Sequence, residues 1–262
     1  MLAYACHGAY KRYMSDRLTY IGHATVLVEQ AGVRLLTDPL LHGGIAHMRR
    51  RVPRPELEPL RDLDAVLISH AHADHLDVKS LRMLDHPREV LAPRGCGGIL
   101  QRAGMHEVVE LMPGDRCAVA GVEVEAVRAD HDGRRHPFGR DIPAIGFLVN
   151  GAARVYFAGD TDLFDEMEAL AGRVDVALLP IWGWGPRLPA GHLNPETAAR
   201  AVALIEPAVA VPIHWGTMRS VGAKGAADPY APARAFADAV AAAAPATEVR
   251  VLAPGDAMPL AG

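Results

Sequence analysis

The sequence predicts an α/β layered fold with mixed sheets. Three observations carry that expectation. Strand pairs and hairpins open the chain, strand–helix alternation follows, and 50% of the 262 residues are hydrophobic against 22% charged. Such a composition supports a sizeable core and excludes wholesale disorder. The chain has no Ser/Gly-rich linker, low-complexity tract, charge block or short repeat. It therefore reads as one domain over 1–262, with residues 1–17 as an N-terminal extension.

Residues 25–29 and 33–37 read as strands joined by a turn at Gln30-Ala31-Gly32. The stretch 39–61, rich in Pro, Gly and Arg, reads as a long loop. Ala-Val-Leu-Ile-Ser at 65–69 is a short apolar run, as a buried strand requires. A short helix is expected over 77–84, a brief strand at 90–91 and a helix near 99–102. Residues 108–111, 117–120 and 122–128 are strand-like, and Asn150-Gly151 marks a hairpin between 145–149 and 154–158. Residues 163–170 read as helix and 174–179 as strand. Asn194 can cap a helix that has Pro195 at its first position and runs to about Ile205. A strand at 209–213, an Ala-rich helix at 232–243 and a last strand at 249–252 complete the reading.

Charge and composition exclude several functions. A net charge of −4 provides no global basic field to capture nucleic acid or an anionic membrane. No apolar run approaches the ~18 residues that span a bilayer. The opening Met1-Leu2-Ala3-Tyr4-Ala5-Cys6 has no basic region and is too short for a signal sequence. Cys6, Cys96 and Cys117 are odd in number and scattered, which points to a reducing, cytoplasmic compartment. There is no Gly-x-Ser-x-Gly elbow, Walker loop or full Gly-x-Gly-x-x-Gly. The expected partner is a small-molecule substrate.

Histidine is the outlier, with 13 copies. His70-Ala71-His72-Ala73-Asp74-His75 packs four potential ligands directly behind the strand at 65–69. A loop at a strand's C-terminal end is where α/β sheets place their chemistry. In an extended or turning segment His70 and His72 could share one metal, while Asp74 and His75 face a second. Imidazole nitrogen and carboxylate oxygen suit Zn, Mn or Fe. One loop cannot close two sites. His131, Asp160 and His214, each just past a strand, are the candidates to complete them.

His-x-His-x-Asp-His at 70–75, followed in order by His131, Gly159-Asp160 and His214, resembles the metallo-β-lactamase superfamily. Ile21-Gly22-His23-Ala24-Thr25, Thr37-Asp38-Pro39, His192-Leu193-Asn194-Pro195-Glu196 and Ile213-His214-Trp215-Gly216-Thr217 resemble its branch containing ascorbate-6-phosphate lactonase and N-acylphosphatidylethanolamine phospholipase D. The resemblance covers roughly 18–255. It implies an αββα sandwich of two mixed sheets flanked by helices, with two divalent metal ions at one sheet edge. It implies that His70, His72 and His131 bind one ion, that Asp74, His75 and His214 bind the other, and that Asp160 bridges them. The implied activity is hydrolysis of a small ester, lactone or phosphodiester by water activated between the ions. The alternatives are an RNA-processing nuclease of the same fold and a non-catalytic metal-binding scaffold.

Further expectations surround the ligands. Asp74 also holds the nucleophile's proton, and His192 supplies one to the leaving group. Asp38 hydrogen-bonds a ligand imidazole, and His23 faces the site. Trp182 and Trp184 form a substrate wall, and Arg49, Arg50 and Arg51, with Arg54 in the same loop, form an anion clamp for a phosphate near the metals.

Overall fold

The computed structural model describes residues 15–135, 139, 141–182, 188–222 and 228–260. The first sheet contains β1 (Arg17–Gly22), β2 (Thr25–Gln30), β3 (Val33–Thr37), β6 (Ala65–Leu67), β7 (Glu89–Pro93), β8 (Val108–Leu111) and β17 (Ala257–Pro259). The second contains β9 (Arg116–Val119), β10 (Val122–Arg128), β11 (Ile145–Asn150), β12 (Arg154–Phe157), β13 (Val176–Pro180), β14 (Val209–Ile213) and β16 (Glu248–Val249). A small third sheet joins β4 (Gly44–Ile45), β5 (Met48–Arg50) and β15 (Met218–Ser220). The helices are α1 (Val78–Leu81), α2 (Gly97–Arg102), α3 (Pro195–Ile205) and α4 (Ala231–Ala243), with 3-10 turns at Glu58–Leu60 and Asp165–Leu170.

Both large sheets are seven-stranded and mixed, in the orders β17-β1-β2-β3-β6-β7-β8 and β16-β14-β13-β12-β11-β10-β9. Side-chain alternation makes the layers. Leu35, Leu67, Phe147, Val155 and Phe157 enter the core between the sheets. Their chain neighbours Leu36 and Val66 face the α1 and α2 side. Leu148 and Tyr156 face α3 and α4. Two sheets with helices outside each give the four-layer αββα sandwich.

Strand direction sets the site. In the first sheet β1 and β2 pair antiparallel, as do β2 and β3, while β3 and β6 are parallel. Hence β1, β3 and β6 run the same way, and His23, Asp38 and His70 follow their C-terminal ends. In the second sheet β12, β13 and β14 are parallel, and β10 shares their direction through β11. His131, Asp160, Trp182 and His214 follow their ends.

Several elements depart from the sequence reading. Arg17, placed in the N-terminal extension, begins β1, which turns Leu18 and Tyr20 into the core. The 39–61 loop contains β4, β5 and a 3-10 turn, with β5 formed by pairing to β15. Residues 165–170 are 3-10 rather than α, with Asp165, Glu166 and Glu168 in the first turn and no side-chain cap. The strand at 249–252 shrinks to β16, and the last strand is β17, paired with β1. Among the described residues no helix is long and apolar enough to cross a membrane.

Candidate metal centre

The loop after β6 turns on itself. His75 and Leu76 both donate backbone N–H groups to the His72 carbonyl, 3.1 and 2.8 Å away. That turn places His70 and His72 beside His131, and Asp74 and His75 beside His214. One candidate set is His70, His72 and His131; another is His23, Asp74, His75 and His214. Within the first, His72 Nδ1 lies 3.1 Å from His131 Nε2. Within the second, His75 Nε2 lies 3.2 Å from His214 Nε2 and 3.3 Å from Asp74 Oδ2. Asp160 stands between them. Its Oδ2 is 3.2 Å from His75 and 3.5 Å from both His214 and His192, and it also groups with His131 and His192.

The rings are held from behind. His75 Nδ1 donates to Asp38 Oδ2 at 2.6 Å, and His70 Nδ1 donates at 2.9 Å to Ser69 Oγ. Ser69 Oγ in turn donates to the same Asp38 oxygen at 2.5 Å. His131 Nδ1 donates to the Gly191 carbonyl and His214 Nδ1 to the Trp182 carbonyl, both at 2.7 Å. Fixing one ring nitrogen leaves the other as the acceptor, the arrangement that metal-ligating imidazoles use. Gly191 must be glycine. It has φ +82°, and a Cβ there would lie 2.9 Å from His131 Nδ1.

The donor chemistry fits divalent cations. His70 Nε2 and Asp160 Oδ1 are buried without a hydrogen-bond partner in the protein, a costly state that a cation relieves. Burial, aided by His75, holds the His70 imidazole well below its usual range. Burial also pushes His131 down to about 4, and burial with His214 pushes His23 down to about 3. These rings stay neutral, while, against burial, Asp160 first among the nearby carboxylates raises His75 and His214 above the usual imidazole range. Burial opposes ionisation of Asp74 and Asp160. Even so, His75 beside Asp74, and His214 with His75 beside Asp160, hold both carboxyls well below the usual range.

The remaining expected residues divide. Asp38 meets a ring of the predicted ligand set, and His23 Nε2 lies 3.1 Å from Asp74 Oδ2. His192 reaches Asp160. Trp182 is half-buried and packs against the apolar cluster that includes α3. Trp184 lies outside the described residues. Arg50 braces the backbone, donating to Leu40, Ile21 and Pro53 carbonyls at 3.0, 2.9 and 3.1 Å. Arg49 NH1 donates to the Ala46 and Met48 carbonyls. Arg51 is exposed. Arg49 and Arg50 thus each spend N–H groups on nearby backbone carbonyls.

Sequence reasoning missed Ser69, Gly191 and the bracing contacts of Arg135, which reads in sequence only as part of a basic patch beside His131. Arg135 NH1 donates to the carbonyls of Ala71 and Leu76, at 2.9 and 3.0 Å, and so spans the ligand loop. Ser69 adjoins the motif and was findable. The other two act through backbone carbonyls that only the fold brings near.

The family profile described as Beta-lactamase superfamily domain matches residues 33–215. The chain belongs to the metallo-β-lactamase superfamily. Within it, a UPF0173 metal-dependent hydrolase from Opitutus terrae is 34% identical over 92% of this chain and 98% of its own length. An N-acyl-phosphatidylethanolamine-hydrolyzing phospholipase D from Caenorhabditis elegans is 31% identical over 76% of this chain and 63% of its own. The chain spans 59% of the length of mycobacterial relatives that it matches at 34% identity. Among solved structures, the metallo hydrolase Igni18 from Ignicoccus hospitalis superposes with a TM-score of 0.69 at 25% identity, covering 94% of this chain and 98% of that one.

Proposed function

We propose that the protein is a binuclear metal-dependent hydrolase of a small ester, lactone or phosphodiester. The observation that carries this reading is the buried Asp160 carboxylate set between two histidine groups. His70, His72 and His131 would hold one cation, Asp74, His75 and His214 the other, and Asp160 both. Zn suits this donor set best, and Mn or Fe also accept it. Bound there, two cations supply a water acidic enough to ionise near neutral pH and polarise a carbonyl or phosphoryl oxygen.

The chain's own groups do the rest. Asp74 Oδ2 takes the proton of the attacking water, and His23, 3.1 Å away, orients that oxygen. His192 Nε2, 3.5 Å from Asp160 Oδ2, donates to the leaving group. Similarity to the worm phospholipase supports the phosphodiester class. The net charge of −4 favours a small molecule over nucleic acid, and the scattered cysteines a cytoplasmic setting.

The test is metal per chain by inductively coupled plasma mass spectrometry on protein purified without chelator. About two transition-metal ions per chain are expected. His72→Ala and Asp160→Ala should each lose metal and hydrolysis of a phosphodiester panel while the protein stays folded by circular dichroism. Full activity in either variant, or no metal after Zn or Mn is added back, overturns the reading.

A further inference from the structure

An open cleft of about 440 Å³ lies among the turn before β4, strand β5 and the start of α1. His42, Gly43, Arg49, Arg54 and Lys79 line it, and no Asp or Glu does. We propose that this cleft binds a phosphate group.

The charge here is local and uncompensated. Among the described residues neither Arg54 nor Lys79 has an ion pair or hydrogen bond to an acid. Arg49 spends NH1 on two carbonyls, which fixes its guanidinium and leaves the other N–H groups open. Arg219 stands directly across from Arg49 in the β5–β15 pair. Like charges in facing positions destabilise a ladder, so this arrangement gains from an anion. Asp77, the carboxylate that contacts the lining residue His42, is already engaged. Asp77 Oδ2 takes His42 Nε2 at 2.8 Å and the Ser80 N–H at 2.7 Å.

Geometry adds to charge. A Cβ at Gly43 would lie 2.8 Å from an Arg54 guanidinium nitrogen. The Arg54 guanidinium therefore lies close against the Gly43 backbone at the cleft wall. A fixed guanidinium beside a lysine is the donor set that phosphate oxygens accept. The frame is also close in sequence to the candidate metal centre. Asp77 follows His75 by two residues, and β15 follows His214 by four.

Phosphate binding here does not depend on hydrolysis. Whether the phosphate belongs to the substrate or to a separate ligand rests on the proposed function. The experiment is calorimetric titration of inorganic phosphate into metal-loaded protein, repeated after chelation so that binding to the metals is separated. Wild type should bind in both states. Arg54→Ala and Lys79→Ala should each weaken the metal-independent binding about tenfold. Arg54→Lys should recover part of the loss. Arg102→Ala, an exposed change on α2, should leave affinity unchanged. Melting curves matching wild type show that the variants fold. Undetected binding up to about 10 mM, or equal affinity in wild type, Arg54→Ala and Lys79→Ala, overturns the proposal. With an ester hydrolysed in phosphorylated and unphosphorylated forms, a KM rise in Arg54→Ala confined to the phosphorylated form assigns the phosphate to the substrate. No KM change alongside weakened phosphate binding assigns it to a separate ligand.

Discussion

At Asp38 one buried carboxylate joins two imidazoles of the same loop. It accepts His75 Nδ1 directly and His70 Nδ1 through Ser69 Oγ. Replacing it by Asn keeps the size but removes the charge and one acceptor. Asp38→Asn should lower metal affinity about 10- to 100-fold, measured by competition with a chelator of known affinity. Unchanged affinity would show that the rings orient without it. A second residue-scale expectation concerns Cys96, whose thiol burial pushes up to about 12, with Glu110 adding to the effect. In the unfolded chain this thiol titrates near ~8.5. Between those values the unfolded state has lost a proton that the folded state keeps, so stability falls as pH rises, by at most about 1.4 kcal/mol per pH unit. The denaturation midpoint should therefore drop between about pH 8.5 and 10, and Cys96→Ala should flatten the drop. An identical slope in that variant would remove Cys96 as its source.

At the scale of elements, the ligand loop is set by what spans it. Arg135 ties Ala71 and Leu76 from outside, so Arg135→Ala should weaken metal binding several-fold in the same competition assay, with circular dichroism unchanged. Helix α3 offers a cleaner stability measurement. Asn194 accepts the Glu196 and Thr197 N–H groups in a capping box, and Asn194→Ala should cost about 1 kcal/mol by denaturant unfolding. That helix was readable because cap and proline are local signals. β2, β3 and β14 were readable because their apolar runs are bounded by turns. β4, β5 and β17 were not, because pairing makes them. Met258 is the only residue of β17 turned into the core, and two or three residues carry no period. The site follows the same division. Ligand chemistry was dense within six residues and legible at once. The carbonyls of Trp182 and Gly191 that anchor His214 and His131 carry no side-chain signal. The arginines at 49–51 were legible as charge, but not as one backbone brace and one cleft wall.

For the whole molecule, the candidate metal centre draws its residues from both sheets, while the core between them is apolar and built without it. Chelation should therefore lower the melting temperature without unfolding the protein. At a thousandfold metal excess over Kd the gain is about 4 kcal/mol, or roughly 10 °C for a chain of this length. Differential scanning calorimetry with and without chelator measures it, and unfolding on chelation at room temperature would refute the independence of the core. The pairing of β17 with β1 has a different kind of consequence. Arg17 lies opposite Pro259, and Tyr20 donates its N–H to the Asp256 carbonyl and accepts from Gly255. A ribosome delivers these partners more than two hundred residues apart. Throughout synthesis the outer edge of β1 stays an open row of donors and acceptors, ready to pair with any other nascent strand. The edge closes only when the stretch around Met258 emerges. A chain whose emerged part stops just short of that stretch should keep the second sheet, six strands of the first and the candidate metal-site residues, yet cluster on polysomes with others stalled at the same point.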